Sequence, residues 1–258
     1  VRPLYVTGLG LWSPGFADVV AWREGRPDPG VEKPRCRLID ARLKRGSSRF
    51  ANMLGEVVEQ AAREAGLDVR TVPTVYGSSL GEIETMVVLL RMLCEEEGKL
   101  SPNRFKNSVH NAASGLVSIA TENKAFSTAI AGGDRSFEVS LLEAWAYLEV
   151  EGGSLVLAVA DDRPPVPLDA LGAHGALSEG LALSIDPADA ARSRAVLRDL
   201  RPATGALPVH ARVPDELAKC SAAAGLELLD AVLARRPGTV STALPGQRGM
   251  CVDVTFEG

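Results

Sequence analysis

The sequence contains only three histidines and four cysteines in 258 residues, and both scarcities restrict its chemistry. Cys36, Cys94, Cys220 and Cys251 form no CxxC pair and have no neighbouring histidine. That spacing argues against structural zinc and fits reduced thiols in a cytosolic protein. No metal and no cofactor is expected. Long lysine and arginine tracts are missing and the formal net charge is −5, so neither nucleic acid nor an anionic membrane is an expected partner. The longest apolar run, GSLVLAVA, is far shorter than the roughly 20 residues that span a bilayer, and it reads as a strand. The opening residues, VRPLYVTGLG, show no charged leader with an apolar core. No secretory signal is expected as numbered, and the expected location is cytoplasmic.

What remains is an ordinary globular composition, 46% hydrophobic and 24% charged, sufficient for a substantial core. Strand and helix patterns alternate. PLYVTG reads as a strand ending in a glycine-rich turn, GLGLWSPG, which lacks the third glycine of a dinucleotide loop and the acid that would hold a ribose. Between Ser48 and Leu67 the apolar positions Phe50, Met53, Leu54, Val57, Val58, Ala61, Ala62 and Ala65 share one helical face, with Gly66 as the stop. PTVYGSS follows as a buried strand, then a helix over LGEIETMVVLLRMLCEEEG, a loop at SPNRF, and a small-residue helix over NSVHNAASGLVSIATEN. Small side chains allow close helix approach, so this helix is expected to be deeply buried or at an interface.

STAIAGGDRSFEVSLLEA reads as a buried strand, a tight turn and a helix starting at Asp134. The strand SLVLAVADD completes a β-α-β unit. After the proline-rich connection come the strands ALSEGLALSID and AVLRDLRP, a helix over PDELAKCSAAAGLELLDAVLARRPG, and the strands TVSTAL and GMCVDVTFE. Such alternation predicts an α/β protein with a parallel or mixed sheet covered on both faces.

In this order the segments VTGLGLWSPG, SSRFANMLGEVVEQAAREAGLD, FSTAIAGGDRSFEVSLLEA, ALSEGLALSID and STALPGQRGMCVDVTFE resemble a β-ketoacyl synthase, a thiolase-fold condensing enzyme. The chain is more similar still to the short chain-length-factor-like partners of aryl polyene ketosynthases. The resemblance implies a layered αβαβα fold in one ketosynthase-like domain over 1–258, with 1–200 as the N-terminal half and 201–258 as a reduced C-terminal half. It implies a role in polyketide, polyene or fatty-acid-like biosynthesis, a heterodimer with an active β-ketoacyl-ACP synthase, and acyl carrier protein as an indirect partner.

A condensing enzyme needs a thiolate to hold the acyl chain, two histidines for malonyl decarboxylation, and an oxyanion hole. In the implied alignment Asp134 takes the nucleophile's place. Cys94 and Cys220 read as helical and Cys251 as part of the last strand. His110 falls in the small-residue helix, His174 in the proline-rich connection and His210 in the shortened second half, none in a synthase histidine motif. No catalytic residue is therefore assigned, and the chain reads as a pseudoenzyme.

A carboxylate stabilised at a helix N terminus is a poor proton acceptor, and aspartate is among the best N-caps. The cap is the preferred reading of Asp134. His110 could line an acyl channel or be a hydrogen-bonded core residue. Arg135 could hold a phosphopantetheine phosphate or a partner carboxylate, or be simply solvated or paired. Glu179 resembles the family's structural acid, with a buried hydrogen-bonding role. Trp12, Phe126, Phe137 and Trp145 fall on apolar faces and read as core, while Met86, Phe126 and Phe137 are candidates for an acyl-tunnel floor. The resemblance implies that the strand Phe126 to Ala131 pairs with the partner's strand across a two-fold axis, beside a helix from Asn107 to Thr121. Two alternatives stay open: an independent acyl-thioester hydrolase or decarboxylase using Asp134 with His110, and a homodimeric acyl-carrier-binding module.

Overall fold

A computed structural model describes residues 1–95, 100–171 and 175–257. In chain order the elements are β1 (Leu4–Trp12), α1 (Val19–Arg23), α2 (Ala41–Lys44), α3 (Arg49–Ala65), β2 (Thr74–Gly77), α4 (Ile83–Glu95), α5 (Pro102–Lys106), α6 (Ala112–Thr121) and β3 (Ser127–Ile130). They continue with α7 (Ser136–Glu151), β4 (Ser154–Asp161), β5 (Leu177–Ser184), β6 (Ala195–Pro202), α8 (Leu226–Leu233), β7 (Gly238–Ser241) and β8 (Met250–Thr255). The strands form one mixed sheet in the order β3-β2-β4-β5-β1-β6-β8-β7. β3, β2 and β4 run parallel, and every other neighbouring pair is antiparallel.

The all-apolar run of β4 is explained by burial on both sheet faces. Leu155, Leu157 and Val159 enter one core with Phe137, Leu141, Trp145 and Leu148 of α7 and Leu228, Leu229 and Val232 of α8. Val156, Ala158 and Ala160 enter the other core, with Met53, Leu54, Val57, Val58 and Ala61 of α3 and with Val117 of α6. Helix α3 ends at the expected stop, Gly66 at φ +67°, and at its other end Ser48 caps it by accepting from the Ala51 N–H.

Of the glycine-rich stretch expected as a turn, only its end turns, at Pro14 and Gly15, while Gly8 to Trp12 belong to β1. Its glycines serve close packing. A Cβ on Gly8 would lie 2.2 Å from the Ala61 carbonyl oxygen, and one on Gly10 2.6 Å from that of Val57. Gly180, opposite Gly10 on β5, meets the same Val57 carbonyl at 2.6 Å. These three positions form a trough that lets α3 rest directly on the sheet. Two β1 amides also reach helix side chains, Leu9 to Glu64 at 2.7 Å and Leu11 to Gln60 at 3.0 Å.

Other expectations need correction. SPNRF is not a plain loop, because Ser101 and Pro102 start the short helix α5. Helix α6 begins only at Ala112, so His110 precedes it, and Ile119 on its outer side is 63% exposed. The strand expected to be buried, β3, is an edge strand with Ser127 exposed and Thr128, Ala129 and Ile130 half-buried, since only β2 pairs with it. The long helix expected from Pro214 is two 3-10 turns, Asp215–Leu217 and Ser221–Gly225, before α8. Cys220 stands at the start of the second turn rather than inside an α-helix. Tertiary contacts override helix periodicity there, because Ser221 is tied to Asp161 and the alanines Ala222 to Ala224 are buried in the core.

The trough predicts that Gly10→Ala and Gly180→Ala each destabilise the fold by about 3 kcal/mol in urea unfolding. Gly205→Ala, with open space around it, is the matched control and should leave the midpoint nearly unchanged. Equal midpoints for all three variants would refute the close-approach explanation.

Candidate functional site

The site is built at the elbow between β3 and α7. The chain leaves β3 at Ile130, passes Gly132, makes one 3-10 turn over Gly133–Arg135 and enters α7 at Ser136. Gly133 takes φ +58°, a conformation costly for other residues. Ser136 Oγ closes the bend, accepting from the Gly132 N–H at 3.0 Å and donating to the Gly133 carbonyl at 2.7 Å.

Asp134 is exposed at the tip. It is not an N-cap, which corrects the expected structural role. It lies inside the 3-10 turn, and the position before α7 belongs to Arg135, which makes no side-chain cap bond. Its Oδ2 instead accepts from Gln247 Nε2 at 3.4 Å, a long contact from the loop before β8.

Arg135 pairs with Glu138, whose side chain is fully buried in the first turn of α7. The same carboxylate accepts from the Met250 N–H. A Cβ on the adjacent Gly249 would lie 1.8 Å from Glu138 Oε1, so the glycine admits the carboxylate against the backbone. Thus Glu138 fastens the elbow to the start of β8.

Beneath the elbow, Phe137 is 1% exposed, and both its ring and Glu179 Oε2 would collide with a Cβ on Gly225. Burial pushes the Glu179 carboxyl well above the usual range. Its Oε1 has no hydrogen-bond partner, so the expected buried acid is present without the expected hydrogen bond at that atom. Asp161, at the end of β4, is completely satisfied. Its Oδ1 accepts from Ser78 Oγ at 2.7 Å, Ser79 N–H at 2.9 Å and Leu80 N–H at 3.0 Å. Its Oδ2 accepts from the Ser221 N–H at 3.2 Å and from the Ser221 hydroxyl. Sequence reasoning missed Asp161, Ser221 and Glu138. The one available signal was a pair of acids, Asp161 and Asp162, ending an otherwise apolar strand.

His110 Nε2 lies 3.2 Å from the Ser78 carbonyl and its ring packs on Gly81, which matches the hydrogen-bonded reading. Asp134 and His110 thus have separate partners and form no ion pair with each other. Phe126, expected in the core, is 40% exposed and stacks on Tyr147 with ring centroids 4.4 Å apart. Met86 on α4 is also 40% exposed. His174 lies outside the described residues.

A thiol nucleophile works as its thiolate. Cys36 and Cys251 are buried, and burial pushes Cys36 to about 12 and raises Cys251. Cys220, completely buried, is raised well above its ordinary value by burial and by nearby Asp161. Cys94 is exposed on α4. None belongs to the elbow.

Glu227 clasps the chain before α8. It accepts from the His210 and Ala211 amides at 2.7 Å each, lies 3.1 Å from His210 Nδ1, and pairs with Arg236 at 2.8 Å. Burial acts to raise this carboxyl, but those donors outweigh it and hold it below its ordinary value.

The mixed sheet, the helices on both faces and the strand–turn–helix elbow define a thiolase-like α/β architecture. A family model described as the β-ketoacyl synthase N-terminal domain matches residues 20–244, and the chain belongs to this family. No curated protein sequence matches it. Among solved structures, it is similar to a chain of the ketosynthase ApeO in complex with its chain length factor ApeC from Xenorhabdus doucetiae. That match has a TM-score of 0.71 and 16% identity and covers 99% of each chain. A type II polyketide synthase acyl-carrier protein in complex with its ketosynthase gives a TM-score of 0.65 and 15% identity over 78% of this chain and 69% of that one. The ishigamide ketosynthase/chain length factor gives 0.62 and 16% over 79% and 67%. Identities this low establish the shared fold. Among the described residues, no helix is long and apolar enough to cross a membrane.

The lowered Glu227 carboxyl gives a pH prediction with a definite sign. A depressed folded value stabilises above the unfolded carboxylate value, about 4.3, and this contribution disappears as pH falls through the folded value. The stability gap between wild type and Glu227→Gln should therefore be widest near neutrality and shrink below about pH 4. A gap that stays constant down to about pH 3 in urea unfolding would contradict the clasp.

Proposed function

We propose that the chain is a ketosynthase-like subunit without condensing chemistry of its own, of the chain-length-factor type, paired with an active β-ketoacyl-ACP synthase. The observation that carries this reading is the exposed carboxylate of Asp134 at the elbow, hydrogen-bonded to Gln247. Acyl transfer from a carrier thioester to a thiolate conserves the bond type. Transfer to a carboxylate makes an anhydride, more reactive than the thioester consumed, so an aspartate there does not store a growing chain. The cysteines do not restore the chemistry, since Cys36, Cys220 and Cys251 are buried with raised values and the exposed Cys94 stands on α4, outside the elbow.

The edge strand supports a partner. Among the described residues β3 has β2 on one side and no strand on the other, which leaves a row of backbone groups along that edge without a strand partner. Pairing with a second subunit's strand would complete the row and remove an aggregation hazard. The similar structures named above include a ketosynthase in complex with its chain length factor. On this reading residues 1–200 and 201–258 are the N-terminal half and the reduced C-terminal half of one ketosynthase-like domain. The acyl carrier protein is engaged through the partner, and the pair acts in the cytoplasm. Met86 and Phe126, exposed in the single chain, face the subunit boundary and limit the acyl tunnel, whereas Phe137 supports the elbow from inside the core.

The test is product length and acyl loading in the reconstituted pair. Met86→Ala and Phe126→Ala should lengthen the products, and intact-mass analysis should find the acyl group on the ketosynthase alone. Unchanged products from both variants, or an acyl adduct on this chain removed by Asp134→Asn, would overturn the assignment.

A further inference from the structure

The connection from β2 to β3, residues 78–126, carries more apolar surface than this chain covers. In α4, Ile83, Val87 and Leu89 are buried, but Met86, Leu90 and Leu93, spaced i, i+4 and i+7, form a stripe that is 40%, 51% and 52% exposed. Phe105 on α5 is 60% exposed, and Val109 and Ile119 are exposed beyond it. Of the fourteen large apolar side chains exposed among the described residues, eight lie between Met86 and Phe126. Single exposed apolar residues are ordinary, whereas a concentration of this kind marks a surface that another molecule covers.

The position of this surface identifies its cover. The connection leaves and re-enters the sheet beside β3, where the Ser78 N–H donates to the Ile130 carbonyl at 3.1 Å and the Thr74 N–H to the Phe126 carbonyl at 2.9 Å. His110, just before α6, packs on Gly81, just before α4, while α4 packs on α5 and α6 packs on β3. The helices thus gather at the corner where β3 ends, and their apolar surface continues the strand edge. Size gives a second reason. β3 has four residues and is about 13 Å long, far too short to bury the roughly 800 Å² per partner of a stable specific interface. A pair held at β3 needs a second, larger contact, and an apolar one is typical of permanent complexes.

We propose that α4, α5 and the outer side of α6 are the main docking surface for the ketosynthase partner, with Leu90, Leu93, Phe105 and Ile119 buried in the pair and the β3 edge setting its register. This rests on the pairing proposed above. The contact is permanent rather than exchangeable, because separating the chains would return the apolar stripe to water.

The test uses the full chain purified in complex with the ketosynthase encoded nearest to it. Leu90→Gln and Phe105→Gln change exposed side chains, so both variants should keep native circular dichroism. Each should weaken the pair about tenfold in dilution followed by native mass spectrometry, and the double variant about a hundredfold. Val20→Gln, exposed on α1 and outside the connection, should leave the dissociation constant unchanged. Hydrogen exchange on the wild-type complex should slow at the amides of α4 and α5 relative to the free chain. Unchanged affinity in both variants, without slowing at α4 or α5, overturns this inference and leaves the pairing standing. Failure of the wild-type chain to bind the ketosynthase overturns the pairing itself and this surface with it. A homodimer of this chain that the same two variants break assigns the surface to a second copy, which also overturns the inference.

Discussion

The carboxylate of Asp161 is the joint on which the elbow end of the sheet depends. Five hydrogen-bond donors from two separate chain segments converge on it, two from Ser221 and three from the stretch Ser78 to Leu80. Because Asp161 ends β4, the strand parallel to and paired with β2, it fixes the exit of β2 and the 3-10 turn before α8 against a single carboxylate. A buried carboxylate is tolerable only when its lone pairs are filled in this way. Glu138 repeats the device one strand away, binding Arg135 and the Met250 amide so that the elbow and the start of β8 move as one body. The elbow is therefore rigid through buried acids beneath it, whatever side chain stands at its tip.

The geometry of the elbow is accordingly independent of the residue at its tip. Ser136 closes the bend, Gly133 supplies its left-handed residue, and neither depends on Asp134, whose contact to Gln247 is long and exposed. Phe137, Gly225 and Glu179 pack against one another beneath the tip. Among the described residues β3 is an edge strand with no strand beyond it, an arrangement suited to pairing with a partner.

The elements governed by period and capping were legible in the sequence. Ser48 and Gly66 bracket α3, and the doubly apolar β4 reads as a strand buried on both faces. The misread elements were those decided by contacts remote in sequence. Gly8 and Gly10 suggest a turn until α3 is laid across them, and the stretch after Pro214 has helical spacing but is pinned into 3-10 turns by Asp161. Phe126 looks like core because aromatic residues on apolar strands usually are, yet it leads into β3, which among the described residues has no strand on its outer side. At the candidate site, Asp134 could be located from the strand–turn–helix pattern. The cap role read for it there does not hold, since one extra 3-10 turn displaces it from the capping position.

The central claim is that this chain acts as one half of a ketosynthase pair. Native mass spectrometry after co-expression with the ketosynthase encoded nearest to it tests that claim most directly. The account predicts a one-to-one complex that is broken by Ile130→Pro on the β3 edge. A homodimer of this chain that forms beside the ketosynthase and excludes it would contradict the account.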